Sequence, residues 1–322
     1  MNKSTKIKLL KDMIFTRNIE LQISKRYNEK EIRCPVHLSI GQEAISAGVS
    51  LAINKKDLIF SAHRSHAHYL SKGGSPRGLI GELYGKVTGC AKGVGGSMHL
   101  VDLKKGVYGC VPIVGSTIPI SVGAAWANKL KKNKKLTVVY FGDGASEQGV
   151  FYESLNFAKI HRLPILFICE NNFYSIYTDY KRRHSIKNNI SNISQTLGIN
   201  SKKLFGNDVE KVFTETKKAV KIINNNFGPC LLEFETYRML EHCGPENDDF
   251  LNYRPKKELK KWSKLCPLET YKKKLINTKI LNKSKIHIIE NNIINKINKI
   301  FKSVKKDKFP SKKFLTNYTY VK

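Results

Sequence analysis

The sequence is poor in features on which several protein classes depend. Its 7 cysteines in 322 residues are scattered without a C-x-x-C pair, which argues against a zinc ribbon and against a disulfide framework. No run approaches the roughly 18 apolar residues of a membrane-spanning helix. The N-terminus lacks the continuous apolar core of a signal peptide. We therefore expect a soluble protein of the cytoplasm with reduced thiols and no membrane partner.

Acidic residues are also scarce. The chain has 26 Asp and Glu against 57 Lys and Arg, for a net charge of +31. Such a charge invites a nucleic-acid interpretation. However, the lysines are spread along the chain beside many Ile and Asn, and no groove-reading motif accompanies them. We expect nonspecific adhesion to polyanions but no specific recognition of nucleic acid.

What is present is the pattern of an α/β protein. Predicted strands and helices alternate, which favours a doubly wound parallel sheet with helices on both faces. Residues 1–255 are predicted to form this domain, and the Lys-, Ile- and Asn-rich residues 256–322 a helical C-terminal extension of it. The predicted strands are 58–61, 136–141, 164–169 and 230–236. The predicted helices are 6–30, one that opens at 41–44, 79–87, 120–130, 147–161 and 209–223. Residues 174 to about 200 are predicted as a long loop.

One strand-helix-strand unit of this pattern has residues that could bind a metal ion. A strand ends at Gly142-Asp143-Gly144, a helix follows, and the next strand ends at Asn171-Asn172. The carboxyl ends of parallel strands meet at one edge of the sheet, where ligands of such sheets bind. Asp and Asn supply the hard oxygen donors that suit Mg²⁺ with phosphate and water. A plain turn between strand and helix is the alternative, since Gly-Asp-Gly is common in turns.

Several motifs together resemble the alpha subunit of the thiamine-diphosphate-dependent decarboxylating component of 2-oxo acid dehydrogenases, the family of the pyruvate, branched-chain 2-oxo acid and acetoin enzymes. They follow the family's order and cover roughly residues 10 to 254. The matching segments are 37–44 (HLSIGQEA), 64–68 (RSHAH), 88–99 (TGCAKGVGGSMH), 113–115 (IVG), 142–144 (GDG), 170–172 (ENN) and 236–238 (TYR).

The resemblance implies thiamine diphosphate and Mg²⁺ as cofactors and assigns residues to them. Asp143, Asn172 and the main-chain carbonyl of Tyr174 would ligate the metal. Cofactor contacts are implied for these three and for His63, Arg64, Val114, Gly144, Ala145 and His242. Arg64 would grip the diphosphate bidentately. His63 stands where the family usually has Tyr.

The resemblance also implies two catalytic histidines. His37 would face the substrate, and His242 would lie on a mobile loop that closes over the diphosphate. Without the resemblance, a structural role would be the better interpretation for either histidine. The family's loop sequence His-Gly-His-Ser is altered here, with Leu240 for its first histidine and Cys243 for its phosphorylatable serine. Pro112 replaces the usual glycine before Val114.

The implied function is that of a subunit active only with a beta subunit, in an α2β2 heterotetramer. The enzyme would decarboxylate a 2-oxo acid, or cleave acetoin, to an enamine and pass the acyl group to a lipoyl acceptor, possibly on an acyltransferase. The altered loop leaves a carboligase open, which would transfer a two-carbon unit to an aldehyde or ketone. A non-catalytic polyanion-binding protein on a degenerate enzyme scaffold is a further alternative, prompted by the net charge.

Overall fold

The computed structural model describes residues 1–32, 34–185, 189–312 and 314. Within them the strands are β1 (Leu58–Ser61), β2 (Val107–Cys110), β3 (Thr137–Gly142), β4 (Ile165–Asn171), β5 (Tyr174–Ser175), β6 (Thr178–Asp179), β7 (Asn200–Phe205) and β8 (Cys230–Glu235). The helices are α1 (Lys3–Tyr27), α2 (Glu43–Ala52), α3 (His66–Ser71), α4 (Pro76–Leu83), α5 (Thr117–Leu130), α6 (Gly149–Ile160), α7 (Ile190–Thr196), α8 (Val209–Asn224), α9 (Lys256–Lys264), α10 (Pro267–Asn277) and α11 (Lys283–Val304). None of the described helices is long and apolar enough to cross a membrane.

The main sheet is parallel and has the strand order β2-β1-β3-β4-β8-β7. Alternate residues of its buried strands face two separate apolar cores. Val138 and Tyr140 of β3 pack into a core shared with α1, α2, α4 and α8, whereas Val139 and Phe141 pack into a core shared with α5 and α6. The predicted doubly wound α/β fold with helices on both faces is therefore confirmed.

The C-terminal segment is helical, as predicted. Along it, α11 packs on α1 and α4, and its Ile297, Phe301 and Val304 enter the first core. Asp307 accepts hydrogen bonds from the guanidinium of Arg77 at 2.5 and 2.7 Å. The division of the chain at residue 255 stays a prediction, and residues 313 and 315–322 lie outside the described residues.

The structure corrects several element predictions. Two parallel strands, β2 and β7, were missed because both are edge strands; β7 carries the exposed Lys202 and Lys203, which suit an edge but obscure a strand pattern. The predicted helix 79–87 instead spans Pro76–Leu83, because Pro76 opens it and the Ser75 hydroxyl caps it by accepting from the Gly78 N–H.

The predicted loop from 174 to 200 is wrong as a whole. It contains the β5–β6 hairpin and α7, although residues 186–188 lie outside the described part. The α7 helix is short, and it is fixed by the Asn189 side chain at its start and by burial of Ile190 in the second core. A helix of only 7 residues in a polar segment gives too little periodicity to be predicted.

Candidate functional site

A cavity of about 230 Å³ lies at the carboxyl edge of the sheet. It is bounded by the residues that follow β1, β3 and β4, and the register that pairs Gly142 with Glu170 brings the last two segments side by side. Every residue that the sequence assigned to a site lines this cavity: His37, His63, Arg64, Val114, Asp143, Gly144, Ala145, Asn172, Tyr174 and His242. Residues far apart in sequence thus share one pocket.

Asp143 and Asn172 are in direct contact at the cavity floor. The Asn172 main-chain N–H donates to Asp143 Oδ1 at 3.3 Å, and the Tyr174 N–H donates to Asn172 Oδ1 at 3.2 Å. Asp143 is almost fully buried, and burial raises the pKa of its carboxyl, an effect that Arg183 partly opposes. A buried carboxylate beside an amide oxygen is a donor set that suits a hard cation.

Arg183 is a contact that sequence reasoning missed. Its guanidinium forms ion pairs with both Asp143 and Glu147. The residue lies in the segment predicted as loop, and nothing in its sequence context links it to Asp143, which is 40 positions away. A cation already accompanies the Asp143 carboxylate in this structure, so the carboxylate is placed to hold positive charge.

Gly144 is required by close packing. A Cβ built on it would lie 2.6 Å from the Ser175 hydroxyl, which a side chain cannot approach without a shift. The residues from Asp143 to Glu147 form a 3-10 turn, in which the Ser146 hydroxyl donates to the Asp143 carbonyl at 2.7 Å. The turn therefore leaves no room for a side chain between the end of β3 and the β5–β6 hairpin.

Arg64 is a buried cation in the cavity wall. It donates to the carbonyls of Leu38 at 2.7 Å and His242 at 3.1 Å. None of the described acidic side chains forms an ion pair with it. Burial, reinforced by the positive charge of Arg238, lowers the pKa of the Arg64 guanidinium to about 9, so it stays charged at neutral pH. The carboxylates of Glu20 and Glu170 oppose this effect through space, but neither forms an ion pair with Arg64.

Three histidines meet on the same wall. The ring centroids of His37 and His63 are 4.6 Å apart, and that of His242 lies 5.3 and 5.4 Å from them, respectively. Burial is the largest cause that lowers the pKa of His37 to about 2, of His63 to about 4 and of His242 to about 3, and neighbouring cationic groups add to it. All three are therefore neutral imidazoles at pH 7.

A buried polar chain supports the floor of the cavity. Ser61 Oγ lies 2.7 Å from His68 Nδ1, and His68 Nε2 lies 3.1 Å from Glu170 Oε1. Gln42 joins this chain to the floor, since its amide donates to Glu170 Oε2 at 3.4 Å and accepts from Asn172 Nδ2 at 3.3 Å. Gln42 and Glu170 stood inside matched motifs, but sequence reasoning gave them no role.

The glycine-rich loop after α4 is not part of the cavity. The carboxylate of Glu82 accepts hydrogen bonds from the main-chain N–H groups of Ala91, Gly93, Gly95 and Gly96 at 2.6–3.2 Å. Phosphate-binding loops offer N–H groups in this way to a ligand. Here an internal side chain takes them, so the loop is a structural brace.

Comparison with known proteins decides the family. The family model described as "Dehydrogenase E1 component" matches residues 11–313. The chain belongs to this family. It is the alpha subunit of a thiamine-diphosphate-dependent 2-oxo acid dehydrogenase, as the motifs indicated, and membership implies a beta subunit as its partner.

Its relatives extend across bacteria and eukaryotes. The chain is 34% identical over 291 residues to the pyruvate dehydrogenase E1 component subunit alpha of Rickettsia felis, covering 90% of this chain and 88% of that one. It is 32% identical over 319 residues to the subunit of the same name from Rickettsia bellii, with 99% and 97% covered. The mitochondrial subunit of Chaetomium thermophilum is 36% identical over 280 residues, with 87% and 66% covered.

Proposed function

We propose that the chain serves a dehydrogenase for pyruvate or a closely similar 2-oxo acid, and that its cavity holds Mg²⁺ together with thiamine diphosphate. The substrate class is suggested by the names of the relatives. Bound thiamine diphosphate supplies the carbanion chemistry by which a 2-oxo acid loses carbon dioxide. The protein's own task is to bind, orient and exclude water.

The observation that carries this proposal is the buried Arg64 without an acidic partner. A cation so placed is costly unless an anion compensates it, and a diphosphate supplies two anionic groups that a guanidinium can grip bidentately. His63 on the same wall can donate one further hydrogen bond. A diphosphate would give Arg64 the direct anionic partner that it lacks among the described side chains.

We infer that the metal would bind at Asp143 and Asn172 in the same cavity. Asp143, the Asn172 amide oxygen and the Tyr174 carbonyl would provide three hard oxygen ligands, leaving further positions for phosphate and water. Gly144 and Ala145 would offer main-chain N–H groups to the diphosphate, and Val114 would support the aminopyrimidine. His37 and His242 would face the substrate as neutral imidazoles, able to accept or donate a proton.

The assembly completes the site. We infer an α2β2 heterotetramer located in the cytoplasm, in which the beta subunit closes the open side of the cavity, and an acyltransferase with lipoyl domains as the acceptor of the acyl group. The chain co-expressed with its beta subunit should decarboxylate a 2-oxo acid only when Mg²⁺ and thiamine diphosphate are present. The chain alone should be inactive.

The sharpest test concerns Arg64. Arg64→Gln in the heteromer should weaken thiamine diphosphate binding at least about tenfold, because a charge-assisted bidentate contact is lost. Arg77→Gln is the matched control: Arg77 pairs with Asp307 outside the cavity and should leave the affinity unchanged. Equal affinities for wild type and Arg64→Gln would remove the main support for the proposal.

A carboligase is the second candidate, favoured by the altered loop. Cys243 is exposed beside the cavity histidine His242, and Leu240 packs against the first core. The loop thus differs where an acyl acceptor would enter. The same heteromer, screened with 2-oxo acids and acyloins as donors and with lipoyl or aldehyde acceptors, separates the two activities. DNA binding that is salt-sensitive, without affinity for thiamine diphosphate, would instead favour the polyanion-binding alternative.

A further inference from the structure

Three segments that are distant in sequence bring one imidazole each to the same point. His37 precedes α2, His63 follows β1 and His242 lies on the loop after β8. One ring nitrogen of each histidine lies within 4.8 Å of the corresponding nitrogens of the other two. This is the one group of three such side chains within the described residues that could share a metal ion.

The geometry is close to that of a metal site. Zinc bound by nitrogen at about 2.0–2.1 Å in a tetrahedral site holds its ligand atoms roughly 3.3–3.4 Å apart. The present nitrogens lie within 4.8 Å of one another, so the side chains would have to rotate to reach that spacing, and His63 and His242 are only partly buried. Three protein ligands with one open position is the arrangement of accessible zinc sites.

A second observation points to a ligand. His37 is buried, and its Nδ1 has no hydrogen-bond partner within the described structure. A buried polar atom without a partner is costly, and such atoms in native proteins call for an ion, a water or a functional role. By contrast, both ring nitrogens of the nearby His68 have partners, Ser61 and Glu170. The unsatisfied atom belongs to the cluster.

We propose that His37, His63 and His242 form a binding site for a borderline divalent transition-metal ion, Zn²⁺, with its open position toward the cavity. The site is distinct from the oxygen donors of Asp143 and Asn172, because imidazole prefers Zn²⁺ and carboxylate and carbonyl oxygens prefer Mg²⁺. It depends on His63, the position at which the sequence departs from the family's usual Tyr. The inference goes beyond the proposed function. Zinc would occupy the imidazole lone pairs through which His37 and His242 could accept a proton, so the two uses of these side chains exclude each other.

Arg64 limits the affinity. Its guanidinium nitrogen Nη2 lies 3.5 Å from His242 Nδ1, so a bound cation would meet a positive neighbour. Coulomb repulsion at such a distance is substantial in a buried site. An anion that neutralises Arg64 should therefore tighten zinc binding, and inorganic phosphate is a simple probe of this effect.

The test measures metal binding by the full-length chain, co-purified with its beta subunit and dialysed free of cofactor. Titration with Zn²⁺ against a chromogenic chelator should reveal one ion per alpha chain, bound more tightly when inorganic phosphate is present. Co²⁺ in its place should give the visible absorption of a four-coordinate nitrogen and oxygen site, without a thiolate charge-transfer band.

Three variants decide the location. His63→Tyr should weaken Zn²⁺ binding at least about tenfold, since loss of even an outer-shell partner costs about that much. His99→Tyr is the matched control, because His99 is exposed outside the cavity and should leave the affinity unchanged. His242→Gln provides a second ligand deletion on a loop, in case His63→Tyr fails to fold.

Other outcomes overturn the proposal. They are the absence of stoichiometric Zn²⁺ binding in the wild type, and unchanged affinity in whichever of the two ligand deletions is folded. Loss of binding in Cys243→Ser, together with a thiolate band for Co²⁺, would move the site to the exposed thiol next to His242 and equally refute it.

Discussion

Two glycine-rich segments of this molecule each lie beside a buried carboxylate, but the two carboxylates have different roles. In the loop from Gly93 to Gly96, main-chain N–H groups converge on Glu82, and an anion site is filled from within. In the turn from Gly142 to Ala145, the carboxylate of Asp143 lines an open cavity and forms an ion pair with the side chain of Arg183. Internal groups meet both carboxylates, but only Asp143 borders the cavity, where a ligand could replace its partner.

The largest effect should follow from breaking the brace. Glu82→Ala leaves four partly buried main-chain N–H groups without their acceptor, and a fully buried group left in this way costs about 1–3 kcal/mol. We expect the free energy of unfolding to fall by about 3–5 kcal/mol. Chemical denaturation checks this value. The protein that remains folded should bind thiamine diphosphate as before; a selective loss of cofactor affinity with normal stability would reverse the roles of the two segments.

The second change addresses the other carboxylate. Asp143→Ala should weaken Mg²⁺-dependent retention of thiamine diphosphate by at least about a hundredfold, because it removes the charged ligand of a metal that prefers oxygen donors. Stability should not fall, since burial raises the pKa of Asp143 and its charge is not a favourable core group. Equilibrium dialysis and denaturation test both parts. Unchanged Mg²⁺-dependent binding contradicts the metal assignment.

The third change addresses Arg183, which forms an ion pair with Asp143. It occupies the carboxylate that Mg²⁺ would use, so Arg183→Gln should lower the Mg²⁺ concentration needed for half-maximal cofactor binding by several-fold, up to about tenfold. Arg182→Gln is the neighbouring control, since Arg182 is exposed. A higher Mg²⁺ requirement in Arg183→Gln would instead mean that the arginine helps to build the site.

The smallest effect is a pH dependence confined to the cavity. The folded protein holds the pKa of His63 at about 4, below its usual value of 6.5, so the unfolded chain binds more protons. Stability contributed by this group is therefore complete above about pH 6.5 and declines as the pH falls toward 4, by at most about 1.4 kcal/mol per pH unit. Denaturation of wild type and His63→Tyr at pH 7 and pH 5 should give a shallower decline in the variant. Parallel declines would contradict the assignment.

The sequence predicted most of the buried elements of the fold, because their own residues carry the pattern. Strands β3, β4 and β8 are continuous apolar runs because both of their faces are covered, and they were predicted within a residue or two. The edge strands β2 and β7 and the short helix α7 were missed. Each edge strand forms because it pairs with a neighbouring strand, and α7 is held by one buried side chain. The local sequence pattern shows neither of these causes.

The candidate site was also predictable in part. Motif order placed Asp143, Asn172, Arg64 and His37 in one family, and the cavity brings them together. Gln42, Glu170 and Arg183 were not predicted as site residues, since their roles arise from hydrogen bonds and ion pairs across 36 to 130 positions. Such contacts depend on where strand ends meet, which spacing along the chain does not encode.

By itself, the sequence determined the periodicity that selects an α/β sheet and the strand-end residues that can hold a metal and a diphosphate. Only the tertiary structure decided which of these groups are saturated. Glu82 accepts the hydrogen bonds that the glycine-rich loop donates. By contrast, among the described side chains the buried Arg64 has no ion-pair partner and the buried His37 Nδ1 has no hydrogen-bond partner. Desolvation makes that difference costly, and the cost exists only once the chain has folded around these groups.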